Sequence, residues 1–139
     1  MHSNDNPDYD GLLSLRNISI HYIQQEGYVN LRCVWVLGCP AELHPIDDER
    51  VAQGKPADEQ ATTKDVFKQA FQEFMPDVPV PQVVGVPCCS QFAVTKETIR
   101  RRPREDYVRI KDWLVNTKLN DDLSGRVLEY AWHSKSFVL

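Results

Sequence analysis

A chain of 139 residues with 42% hydrophobic and 26% charged residues is one domain or a piece of one, and its composition is not that of a disordered, collagenous or coiled-coil protein. Its formal charge of −4 excludes a general nucleic-acid binder, which needs a basic surface to release phosphate counterions. No run of about 18 apolar residues occurs, so no membrane-spanning helix is expected, and the polar start MHSNDNPDYD is no secretory signal.

In DYDGLLSLRNISIHYIQQEG, Leu12, Leu15, Ile18 and Tyr22 recur at helical spacing, and Asp8 or Asp10 is available as a cap, so one or two short helices are expected. YVNLRCVWVL follows, rich in β-branched and aromatic residues. Val29, Leu31, Cys33, Trp35 and Leu37 alternate onto one face, which predicts a strand ended by Gly38 and Pro40. From Cys39 to Ala61 the polar, proline-containing sequence lacks a sustained period and reads as a long surface loop or lid.

Thr62 or Thr63 then caps a helix in which Phe67, Ala70, Phe71 and Phe74 form an apolar stripe. Pro76, Pro79, Pro81 and Pro87 punctuate an extended approach to a second strand, CCSQFAV. Thr95 can cap a short helical turn, and Pro103 suits the start of a longer helix with Tyr107, Ile110, Trp113, Leu114 and Leu119 on its buried side. Asp121, Asp122 or Ser124 can start a last helix that turns Val127, Leu128, Ala131 and Trp132 inward. Strands alternating with helices predict an α/β layer. Two strands are a poor sheet, however, and an edge as apolar as YVNLRCVWVL needs neighbours. The expected object is therefore an incomplete sheet, with a partner able to dock on its open edge.

The residues that can do chemistry cluster late in the chain. Glu129, Trp132 and His133 stand at i, i+3 and i+4, so a carboxylate and an imidazole project from one side of a helix. That spacing fits a general base beside a metal-binding or phosphate-contacting histidine. It fits equally a surface carboxylate and a helix-end histidine favoured by the dipole. Asp121 and Asp122 suit a hard divalent ion or a helix cap. Arg100, Arg101, Arg102 and Arg104 match phosphate oxygens, or form a solvated face paired with Glu97, Glu105 and Asp106. Four cysteines are too few for a disulfide scaffold, and Cys33 and Cys39 lack a zinc-type spacing.

Four stretches, GYVNLRCVWVLGCPAELHP, VGVPCCSQFAVTKETIRRRP, YVRIKDWL and DDLSGRVLEYAWH, are together specific. They resemble the domain of unknown function 3431 family, found largely in fungal proteins, over nearly the whole chain to His133. That family is remotely similar to A-type glycosyltransferases. The resemblance implies a partial Rossmann-like sheet with flanking helices, here as a single domain over residues 1–139 that forms the C-terminal part of a larger family domain. It implies a nucleotide sugar as partner and a divalent Mn or Mg ion as cofactor. Carried over by position, Glu129 and His133 are catalytic, Gln91, Arg126 and Trp132 bind substrate, and His133 contacts the metal. Members typically carry a preceding half with further strands and continue after His133 into an IFG-like segment, where this chain has SKSFVL. The resemblance thus implies a chain inactive by itself, a truncated gene product, or, alternatively, a non-catalytic binding module.

Overall fold

A computed structural model describes residues 15–31, 41–54, 60–86 and 91–132. In chain order the elements are α1 (Ile20–Glu26), β1 (Tyr28–Asn30), β2 (Ala41–Leu43), α2 (Pro45–Ala52), α3 (Thr63–Phe74), β3 (Val84–Val86), β4 (Phe92–Val94), α4 (Lys96–Arg100), α5 (Arg104–Asn116) and α6 (Asp121–Trp132). Helix and strand are mixed, as an α/β chain requires. β1 pairs antiparallel with β4, Val29 opposite Ala93, and β2 pairs antiparallel with β3, Glu42 opposite Gly85. The first ladder extends at both ends, where Leu31 N–H donates to the Gln91 carbonyl and Thr95 N–H to the Gly27 carbonyl, each at 2.9 Å.

The core forms around α3 because its apolar residues fall at i, i+3, i+4 and i+7. Phe67, Ala70, Phe71 and Phe74 are all buried. They meet Leu43, Val84 and Val86 from the second ladder, Trp113 from α5, and Val127, Leu128 and Ala131 from α6. Aromatic rings run through it: Phe67 to Phe71 at 5.8 Å, Phe71 to Phe74 at 5.6 Å and Phe74 to Trp113 at 5.0 Å. The start of α3 is fixed by Thr62, whose N–H and hydroxyl donate to the Asp65 carboxylate at 2.7 and 2.8 Å. Trp113 has one polar atom to satisfy, and its indole N–H donates to Glu73 at 2.8 Å.

Several expectations are corrected. The segment after Cys39 is not a plain loop, because it contains β2 and α2. Pro45 opens α2, Asp47 and Asp48 occupy its first turn, and Asp48 accepts from His44 N–H at 2.7 Å. These are helix-start signals in a stretch too polar to show a period. A salt bridge from Lys68 to Glu49 at 2.5 Å ties α2 to α3. The proline-punctuated approach ends in a further strand, β3, whose Val84 and Val86 are buried on either side of exposed Gly85.

Leu114 lies 41% exposed rather than in the core, since it sits about 100° around α5 from Trp113, the residue that faces α3. At the chain start, α1 is capped by Ser19, whose hydroxyl accepts from Tyr22 N–H at 3.2 Å, and Leu15 and Tyr22 are exposed. Asp8 and Asp10 lie outside the described residues, as do residues 32–37 of the first predicted strand and 88–90 of the second.

Candidate functional site

Helix α6 carries most of the candidate residues. It is capped by Asn120, whose side-chain oxygen accepts from Leu123 N–H at 2.9 Å, and not by Asp121, Asp122 or Ser124. Asp121 and Asp122 lie exposed in its first turn, where carboxylates complement the helix dipole. One turn on, Arg126 donates to Glu129 at 2.7 Å, with the arginine side chain 56% exposed and the carboxylate 16%. Arg126 also draws down the hydroxyl of Tyr130, while burial, the larger effect, and Glu129 push it up. The helix end presents Trp132, whose ring lies 6.1 Å from that of Phe92 in β4. Gln91, the residue before Phe92, is exposed, and its carbonyl is held by Leu31. Trp132 and the start of β4 are thus brought together, and Arg126 and Glu129 are paired along the same helix. His133 lies outside the described residues.

Sequence reading missed the cavity beside this helix end. It has a volume of about 210 Å³, is open to solvent on one side, and is lined by Tyr28, Phe92, Val94, Thr98, Ile99, Tyr107 and Trp132. These come from β1, β4, α4, α5 and α6, five elements spread over most of the chain. Tyr28 and Phe92, diagonal neighbours two residues apart in the β1–β4 register, stack at 5.2 Å. The Tyr107 hydroxyl donates to the Ile99 carbonyl at 2.8 Å, and the Thr98 and Thr95 hydroxyls are 2.9 Å apart. Burial pushes the Tyr28 hydroxyl from its ordinary value of 10.0 up to about 12.

The Tyr28 shift has a defined sign. A folded value above the unfolded one favours the folded state fully below the unfolded value, and that contribution is lost as pH rises through the folded one. Thermal melts should therefore show a fall in Tm between about pH 10 and 12 that is smaller in Tyr28→Phe than in the parent chain. An equal fall in both would contradict the burial of this hydroxyl.

Other candidates divide cleanly. In the arginine cluster, Arg102 donates to Asp106 at 3.3 Å in a half-buried pair, whereas Arg100, Arg101 and Arg104 are exposed. Asp106 also accepts from Arg109 at 3.2 Å. A second hollow of about 320 Å³ is lined by Gln69, Glu73, Asn116 and Lys118 over Val66, Ala70 and Leu119. Cys33, Cys39, Cys88 and Cys89 lie outside the described residues. Among the described residues no three histidine, cysteine or acidic side chains gather as a metal site, and no helix is long and apolar enough to cross a membrane.

Residues 1–135 match the family model described as Protein of unknown function (DUF3431). No curated protein and no solved structure matches the chain.

Proposed function

The chain belongs to the DUF3431 family, and we propose that it forms the C-terminal part of a larger, Rossmann-like domain, similar to A-type glycosyltransferases, that takes a nucleotide sugar as donor. Glu129 and His133 are its catalytic pair in this reading, and Gln91, Arg126 and Trp132 bind the donor. The observation that carries it is the arrangement along α6, where a sheltered carboxylate, a guanidinium and an indole succeed one another. The indole ends against Phe92, next in the chain to Gln91. A guanidinium suits a diphosphate, an indole suits a sugar or base ring, and a carboxylate in a poorly hydrated position suits proton transfer.

Arg126 is the more exposed partner of that pair, and a guanidinium has donors enough to meet a phosphate oxygen while it keeps Glu129. Manganese or magnesium bound near His133 would neutralise charge on a diphosphate leaving group. The described residues gather no set of ligands for it, and no step is assigned to it.

The test is a thermal-shift titration of the full-length parent of this chain with UDP-glucose and with GDP-mannose, each with and without manganese. A saturable rise in Tm is expected for one donor, because a ligand that binds only the folded state stabilises it by about 2.7 kcal/mol at a hundredfold excess over Kd. The rise should vanish in Arg126→Ala and in Trp132→Ala. No rise with either donor, or a rise that survives both substitutions, removes this reading. A second reading, a non-catalytic docking module, is favoured by the exposed Arg100, Arg101 and Arg104 at the α4–α5 junction. It predicts indifference to both donors.

A further inference from the structure

We propose that the cavity between the β1–β4 ladder, α4, α5 and the end of α6 is a binding site for an uncharged molecule built on a single aromatic ring, with no more than one hydroxyl group. Its volume of about 210 Å³ exceeds the roughly 150 Å³ of an apolar protein cavity that takes up benzene. It falls short of the ~300 Å³ at which pockets for larger ligands begin. One ring and a small substituent fill it.

The walls select the chemistry. Tyr28, Phe92 and Trp132 offer aromatic surface, with Phe92 stacked on Tyr28 and inclined at 46° to Trp132. A ring seated against these surfaces gains both stacked and edge contacts. Among the described residues that line the cavity, no side chain is charged. A carboxylate or ammonium group placed there would lose its water without gaining a counter-charge. The polar side-chain atoms of the described walls are the hydroxyls of Tyr28, Thr98 and Tyr107 and the indole N–H of Trp132. The Tyr107 hydroxyl already donates to the Ile99 carbonyl, and that of Thr98 is shared with Thr95. A nucleobase, with several donors and acceptors around its edge, would leave most of them unpaired. A simple phenol has one such group, and the Tyr107 hydroxyl, which donates to Ile99, can still accept from it.

This site stands apart from the donor reading, since among the described residues Arg126, Glu129 and Gln91 do not line the cavity and only Trp132 is common to both. Isothermal titration of the full chain with p-cresol, benzoate and uridine tests it. One-site, saturable binding of p-cresol is expected, at least about tenfold tighter than that of benzoate or uridine. Val94→Phe, which fills the cavity from β4, should weaken p-cresol by at least about tenfold. Should that variant fail to fold, Ile99→Trp serves the same purpose from a position 44% exposed, where a larger side chain is tolerated. Absence of saturable p-cresol binding, equal affinity for benzoate or uridine, or an affinity unmoved by the folded variants overturns the proposal. Because uridine is an arm of the same titration, loss of the donor reading and loss of the aromatic site give different results.

Discussion

Phe71→Ala is expected to lower the free energy of unfolding by about 3–5 kcal/mol. Phe71 is fully buried, and its ring lies between those of Phe67 at 5.8 Å and Phe74 at 5.6 Å. Truncation to alanine removes both ring contacts and leaves a hole whose walls are fixed from several directions. Leu43 and Val84 are held by the β2–β3 ladder, and Trp113 is anchored through its bond to Glu73. Walls held in that way collapse little, which places the cost at the upper end of such substitutions. Against a typical net stability of about 5–15 kcal/mol, the loss is large enough to leave a visible unfolded fraction without denaturant. Val115→Ala is the control, at a position 73% exposed on α5, and should change stability by less than about 0.5 kcal/mol. Urea titrations of the two variants read the difference as a shift in midpoint. Midpoints that move equally would mean that the aromatic run along α3 is not the centre of the fold.

The contrast between those two positions also shows which parts of the fold were legible. Helix α3 was readable because three independent signals agree there: a threonine cap, an acidic partner three residues on, and phenylalanines at helical spacing. Helix α6 was readable for the same kind of reason, with Val127, Leu128 and Ala131 turned inward as their spacing predicts. In α5 the apolar residues outnumber the buried positions. Of the residues expected on its buried side only Leu114 is exposed, next to buried Trp113, while Ile110 and Leu119 pack against the core. Helix α2 and strands β2 and β3 escaped because each is short and stabilised mainly by its partner. Three residues of β2 carry no usable period, and their strand character comes from pairing with Val84–Val86 some forty residues away.

The site was legible only where it lies on one helix. The pairing of Arg126 with Glu129 is an i, i+3 relation, which the sequence shows as plainly as the i, i+4 relation of Glu129 with His133. The aromatic cavity could not be read, because Tyr28, Phe92, Tyr107 and Trp132 are separated by up to about a hundred residues and meet only through the β1–β4 register. The available hint was compositional: Tyr28 and Phe92 stand at opposite ends of one short antiparallel ladder, and aromatic side chains reach diagonal neighbours on the same face.

Gly27→Ala should cost about 2–3 kcal/mol, and Thr98→Ala in the same chain should return roughly 1 kcal/mol of it. Gly27 ends α1 with φ +75°, a left-handed conformation that a residue with a Cβ adopts only under strain. Space is a second obstacle. A Cβ built on Gly27 would stand 2.5 Å from the Thr98 hydroxyl oxygen, and 3.8 Å from the Thr98 Cβ. The hydroxyl cannot turn away without cost, because it is bonded to the Thr95 hydroxyl at 2.9 Å, and Thr95 N–H in turn donates to the Gly27 carbonyl. Replacing Thr98 by alanine removes the clashing oxygen and leaves only ordinary contact, so the steric part of the penalty should disappear while the conformational part stays. The two substitutions are therefore expected to be less damaging together than the sum of their separate effects. A double-mutant cycle on melts or urea midpoints measures the coupling directly. Strict additivity would show that Gly27 is required for its backbone angle alone. Coupling would show that the turn into β1 and the first residues of α4 are built against each other, which is what sets Tyr28 and Thr98 on adjoining walls of the cavity.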